Sequence, residues 1–225
     1  MSVVVDSVRL SLRVWACARP SGPPVVLLPA TGETAADWDD VATRLCAERL
    51  VYAVDLRGHG LSDWPGSYSL QLFADDVIGV LEQIGDEPID MVGHSLGGLV
   101  ACKVAASLPG RVRRLVLEDV PLPHPRPAAP SARPEGELAF DWRVVEQVRP
   151  EIDNPDPGWA DIVARITATT LVIAGGASSR MPQAHVAELA DRLPDGQLTT
   201  IDGGHLVHAT RPEEFLKSLL AFVAA

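Results

Sequence analysis

The chain has 225 residues, 47% of them hydrophobic, and carries a formal net charge of −11 at pH 7. That length reads as one domain over residues 1–225 with room for a sizeable core, and no apolar run approaches the roughly 18 residues a membrane-crossing helix needs. An isoelectric point near 4.9 disfavours nucleic acid and anionic membrane as partners, because neither phosphates nor lipid headgroups are attracted to an acidic surface.

In chain order, Ser2 to Ala16 alternates apolar and polar residues and predicts an antiparallel hairpin. Strand-like runs follow near 24–28, 50–54, 88–93, 112–118, 170–175 and 197–201, and helix-like runs near 36–48, 69–85, 95–108, 183–193 and 211–224. The alternation of the two predicts an α/β fold: a mostly parallel, eight-stranded sheet flanked by helices. One compositional break interrupts it. From Pro121 to Pro134, six of fourteen residues are proline, which removes backbone donors and predicts an extended surface strap. Short helices are expected after it, around Phe140 to Val148 and Trp159 to Arg165. Residues 120–168 together read as a short insertion between the sixth and seventh strands.

The opening residues have no basic leader and place Asp6 ahead of any apolar block, so no signal peptide is expected and the reading is cytoplasmic. Cys17, Cys46 and Cys102 are odd in number and widely spaced, and are expected as reduced thiols packed like small buried hydrophobes.

The chemistry concentrates at Gly93-His94-Ser95-Leu96-Gly97, which follows an apolar strand-like run and opens a helix-like one. This is the pattern of a nucleophile elbow, in which a tight strand-to-helix turn exposes a serine hydroxyl beside amides at a helix N-terminus. A hydroxyl attacks only when a base takes its proton. His205, 110 residues on, follows Gly203-Gly204 at a strand–loop–helix junction and is the candidate base; His208 is its competitor.

These pieces resemble the α/β-hydrolase superfamily along nearly the whole chain. Val25-Val26-Leu27-Leu28 before Pro29-Ala30-Thr31-Gly32, the run Asp55-Leu56-Arg57-Gly58-His59-Gly60-Leu61-Ser62-Asp63, the elbow and the Gly-Gly-His loop all carry the resemblance. It implies a Ser-His-acid triad in a serine hydrolase with a short cap, and no organic cofactor. Arg57 and Asp63 are expected to be structural. The superfamily's oxyanion loop commonly reads His-Gly-x; here it reads Pro29-Ala30-Thr31, and the amide role carries over to Thr31 and Leu96. The Thr31 hydroxyl is also a candidate donor to a bound carbonyl, with turn capping as the competing reading. His94 and Trp38 are carried as candidate substrate contacts.

A second departure concerns the acid. The commonest superfamily pattern places it after the seventh strand, where this chain reads Gly175-Gly176-Ala177-Ser178-Ser179, and no Asp or Glu occurs from Ile162 to Ala187. Some members take the acid from the end of strand six, which here ends in Glu118-Asp119. Asp119 is the first choice and Glu118 the second, since neighbours in a strand point to opposite faces; a plain solvated acidic strand end is the competing reading. The expected activity is cleavage of a small ester, lactone or thioester through an acyl-enzyme. Perhydrolase or haloperoxidase chemistry, carbon–carbon bond hydrolysis and non-catalytic ligand binding are alternatives. The six histidines are scattered, so no metal site is expected, and the sequence leaves monomer and homodimer open.

Overall fold

A computed structural model of the chain describes residues 1–128 and 131–224. Its centre is one sheet of eight strands: β1 (Ser2–Val5), β2 (Val8–Trp15), β3 (Val25–Leu28), β4 (Val51–Asp55), β5 (Ile89–His94), β6 (Val112–Glu118), β7 (Thr169–Ala174) and β8 (Gly196–Thr200). They lie in the order β1-β2-β4-β3-β5-β6-β7-β8. β2 pairs antiparallel with β1 and β4, and the other pairs are parallel. The expected fold and hairpin are therefore both present, with Asp6 and Ser7 making the hairpin turn at positive φ.

The helices are α1 (Asp39–Leu45), α2 (Leu70–Ile84), α3 (Leu96–Ser107), α4 (Arg143–Asp153), α5 (Trp159–Ala164), α6 (Gln183–Arg192), α7 (Val207–Thr210) and α8 (Pro212–Ala224). A 3-10 turn, Ala35–Trp38, runs into α1. Central strands of a parallel sheet are covered on both faces and so read as unbroken apolar runs. β3 shows the rule: Val26 and Leu28 join the core under α2 and α3, while Val25 and Leu27 join the one under α1 and α8. α2 buries Leu70, Phe73, Ala74, Val77 and Leu81 at helical spacing, and the Ser69 hydroxyl caps it by accepting the Leu72 N–H at 3.0 Å. α3 buries ten of its twelve residues, as a helix enclosed on all sides must.

The Asp55–Asp63 run acts as a brace. The Asp55 carboxylate accepts the amides of Ala35 (2.7 Å) and Leu61 (3.1 Å), and Ser62 Oγ accepts the Ser11 amide at 2.8 Å. Arg57 grips the buried Asp76 with two bonds of 2.5 and 2.6 Å. Breaking such a buried pair from one side costs about 3–5 kcal/mol. Asp63 pairs with Arg9 at the surface.

Between β6 and β7, the strap's Ala129 and Pro130 lie outside the described residues. Beyond it the chain is tied to the β4–α2 loop: Asp141 N–H donates to Gly58 O (2.8 Å), Gly60 N–H to Ala139 O (2.7 Å) and Tyr68 Oη–H to Asp141 (2.8 Å). The helices after it occupy 143–153 and 159–164, the first starting later than the sequence suggests. One expectation about cysteine is corrected. Cys102 is buried, but Cys17 and Cys46 are half-buried, because Cys17 lies in the connection after β2 and Cys46 at the end of α1.

Candidate active site

The C-terminal ends of β3, β5 and β6 meet at the Ser95 turn. Ser95 has φ 51° and ψ −113°, a region that non-glycine residues rarely adopt and that costs on the order of 1–3 kcal/mol. The turn is possible because the residues two positions to either side lack side chains: a Cβ on Gly93 would strike the Gly97 carbonyl, and one on Gly97 would strike that of Leu28. The Ser95 amide donates to the carbonyl of Glu118 at 3.2 Å, which fixes the elbow to the end of β6. Ser95 itself is partly exposed at the N-terminus of α3.

β8 delivers His205. The amide of Gly204 donates to Gly175 O at 2.9 Å, and a Cβ on Gly175 would collide with Gly204, so the two loops pass in direct contact. That approach brings His205 Nδ1 within 2.7 Å of Asp119 Oδ2. Asp119 is fully buried at positive φ (49°), and its carboxylate is saturated with donors. Besides His205, it accepts from Ser179 Oγ (2.5 Å), Gln183 Nε2 (2.9 Å) and the Gly175 amide (2.9 Å). Burial alone would raise its pKa; the bonds from His205, Ser179, Gln183 and Gly175 outweigh it and hold the carboxyl at about 2. The loop after β7, which lacks a carboxylate, thus supplies donors to one that arrives from β6.

Glu118, the last residue of β6, holds a different histidine from Asp119, and it is not a solvated strand end. Both Glu118 and Asp119 are fully buried. Glu118 accepts the backbone amide of His208 at 2.8 Å and binds its Nδ1 at 2.8–2.9 Å. His208, the competing base, is therefore committed to Glu118 and stacks on Trp38 with ring centroids 4.5 Å apart.

Both candidate substrate contacts need correction. Trp38 is fully buried in the core under α1 and α8, held there by the stacking on His208, and has no face to offer a ligand. His94 is also fully buried. Its Nδ1 meets Glu33 Oε2 at 2.9 Å and its Nε2 meets the His205 carbonyl at 2.7 Å. Glu33, a functional candidate that no sequence motif marks, also accepts the Ala30 amide at 2.9 Å. Its position four residues after Pro29 gives no local signal of that role.

Thr31, next to Ala30, is exposed, and the turn is capped by Thr34 rather than Thr31: the Thr34 hydroxyl accepts the Ala36 amide at 3.3 Å. Leu96 is buried as the first residue of α3. The scattered histidines do gather in space: the donor atoms of His94, Glu118 and His208 lie within 4.8 Å of one another. These donors already bond to one another's neighbours, with both His94 nitrogens taken by Glu33 and His205, so the group is a hydrogen-bonded network rather than an open coordination site.

Phe140 closes the space over Gly32, where a Cβ would lie 3.2 Å from its ring. The same Phe140, with Trp64, Leu138 and Trp142, lines a cavity of about 570 Å³ in the β6–β7 insertion.

An eight-stranded sheet in this order, with a strained serine after β5 and a histidine after β8, defines the α/β-hydrolase class of protein. The sequence matches the alpha/beta hydrolase family over residues 25–218, and the chain belongs to that family. It is 35% identical over 124 residues to an AB hydrolase superfamily protein of Bacillus subtilis, covering 53% of this chain and 43% of that one. It is 43% identical over 102 residues to an esterase of Mycobacterium tuberculosis, covering 44% and 34%. The chain thus aligns with less than half the length of either relative. Among solved structures, the enol-lactonase of Burkholderia xenovorans superposes over 100% of both chains with a TM-score of 0.85 at 22% identity, a likeness of fold. Among the described residues, no helix is long and apolar enough to cross a membrane.

Proposed function

We propose that this chain is a cytoplasmic serine hydrolase that cleaves a small ester, lactone or thioester, with Ser95 as nucleophile, His205 as base and Asp119 as acid. The observation that carries the reading is the 2.7 Å contact between His205 Nδ1 and a carboxylate held ionised at about pKa 2. An ionised carboxylate only accepts hydrogen bonds, so Nδ1 carries the proton and Nε2 is left with its lone pair. In the proposed mechanism Nε2 takes the Ser95 proton as Oγ attacks the carbonyl carbon. The oxyanion is held by the amides of Thr31 and Leu96. The imidazolium then protonates the leaving group, and water frees the acyl group by the same steps.

The contact of the buried Asp119, at the end of β6, with His205 supports catalysis over non-catalytic ligand binding. The resemblance to an esterase over part of the chain supports ester chemistry, and residues 120–168 act in this reading as the cap over the pocket. The test is reaction with a fluorophosphonate probe together with hydrolysis of short p-nitrophenyl esters, lactones and thioesters. Labelling confined to Ser95 is expected. A chain that neither labels nor turns over any of these substrates would not be a serine hydrolase.

A further inference from the structure

His94 is a fully buried titratable group that the proposed chemistry does not use, and it touches each segment that the chemistry does use. It precedes the nucleophile in the chain, its Nδ1 faces Glu33, and its Nε2 faces the backbone carbonyl of His205. A carbonyl can only accept, so Nε2 donates to it. Glu33 is ionised, its carboxyl held at about 2: burial would raise it, and His94, the Ala30 amide and His208 bring it down. Nδ1 therefore donates as well. Both ring nitrogens carry protons, which makes the ring a cation.

We propose that Glu33 and His94 are positioning residues, in which the doubly donating His94 ring ties the loop bearing the Thr31 amide to the loop bearing His205. The inference rests on the serine-hydrolase reading above. Glu33 Oε2 accepts both the His94 Nδ1–H and the Ala30 N–H, so it holds the Pro29–Ala30 peptide, one unit before the Ala30–Thr31 peptide that carries the Thr31 amide. His94 Nε2–H holds the carbonyl of the base itself, so it sets the backbone from which the His205 ring is aimed. The oxyanion donors and the base are thereby indexed to one ring, which is covalently attached to the nucleophile. Displacing such elements by about 1 Å costs roughly 10²-fold in rate.

The charge of His94 is shared among several groups. Glu33 reaches it from the β3 loop, Glu118 from β6, and His205 and His208 from the loop and helix after β8; His59 lies within the field of Glu33. Burial alone would lower the His94 pKa, and the charges of Glu118 and Glu33 with the bonds to Glu33 and His205 raise it to about 9. The bridge should hold through neutral pH and fail as pH rises past about 9.

The test has two arms. In the first, ¹⁵N NMR of the wild-type protein at pH 8 should show both His94 nitrogens protonated; a singly protonated ring at that pH overturns the proposal without any variant. In the second, kcat, KM, melting temperature and affinity for a boronic-acid or trifluoromethyl-ketone inhibitor are compared for wild type, Glu33→Gln, His94→Gln and the double variant. Glu33→Gln should lower kcat by up to about a hundredfold, the scale of a misplacement of about 1 Å, with KM changed less than about twofold. Inhibitor affinity should fall in step with kcat, and the alkaline limb of kcat should move to lower pH because the variant removes an anion beside His94. The double variant should be no slower than the slower single one, since both break one bridge. A Glu33→Gln enzyme with wild-type kcat and an unmoved alkaline limb, in a protein whose turnover requires Ser95, removes the clamp and leaves the hydrolase reading standing. Turnover that survives Ser95→Ala removes both.

Discussion

Glu118 and Asp119 are neighbours in sequence whose buried carboxylates hold two different histidines, His208 and His205, on opposite sides of the end of β6. The two histidines are themselves only three residues apart. A dipeptide on one strand and a short loop after another are thus joined by two parallel charge-assisted contacts. Only the outer one, Asp119 with His205, lies beside Ser95 in the proposed mechanism, and the inner one braces it.

Ser95→Ala should abolish hydrolysis of a short p-nitrophenyl ester while leaving circular dichroism and melting temperature nearly unchanged, since it removes one hydroxyl and no core contact. Ser95→Gly should melt higher than Ser95→Ala. Glycine tolerates φ 51° without the Cβ strain that both other residues carry. Residual turnover above a few per cent in the alanine variant would exclude Ser95 as the nucleophile.

Asp119→Asn should lower kcat by at least about 10² and up to about 10⁴, the size of the analogous change in a serine protease, because an amide can present N–H to His205 and favour the wrong tautomer. Ser179→Ala removes one of four donors to the same carboxylate and should cost far less, and Ser178→Ala less again. If the serines prove essential and Asp119 dispensable, the acid is assigned to the wrong place.

Glu118→Gln tests the inner pair. Replacing a buried carboxylate that serves both the amide and the ring of His208 should destabilise by about 1–3 kcal/mol, a fall of several degrees in melting temperature for a chain of this size. The loss of kcat should be smaller than that of Asp119→Asn. Equal stability of Glu118→Gln and wild type would show the His208 contact to be weak.

Stability should also report Asp119 through pH. Its folded pKa is depressed from 3.8 to about 2, so its contribution is complete above about pH 4 and is lost as pH falls toward 2. Glu33 is depressed from 4.5 to about 2 and acts in the same sense. Thermal melts between pH 5 and 2 should therefore slope downward in the wild type and more gently in Asp119→Asn and Glu33→Gln. Identical slopes in all three would mean that neither carboxylate is preferentially ionised in the fold.

Hydrogen exchange should separate the strap from the sheet. Ser131 to Arg133 are exposed in a proline-dense stretch, so their amides should exchange near the rate of free peptide, while those of Met91 and Val92 in β5 should be the slowest class. Protection at 131–133 approaching that of β5 would make the strap an integral layer and require another route to Ser95.

Much of this architecture was legible in the chain because its signals are local. Unbroken apolar runs mark strands covered on both faces, and the glycines flanking Ser95 mark a turn where backbones touch. Strand alternation placed Glu118 and Asp119 on opposite faces, and the absence of any acid between residues 162 and 187 pointed to the end of β6 for a partner to His205. What each buried polar group meets was decided only by the tertiary structure. Trp38 sits on an amphipathic turn and could have faced a ligand; stacking on His208, 170 residues later, put it in the core. Glu33 and His94 are 61 residues apart on different strand ends, and no spacing announces that they bond. Such pairs form because burying a charge is costly unless an opposite charge and a full set of hydrogen bonds meet it, and which groups can meet is set by the order in which β3, β5, β6 and β8 lie side by side.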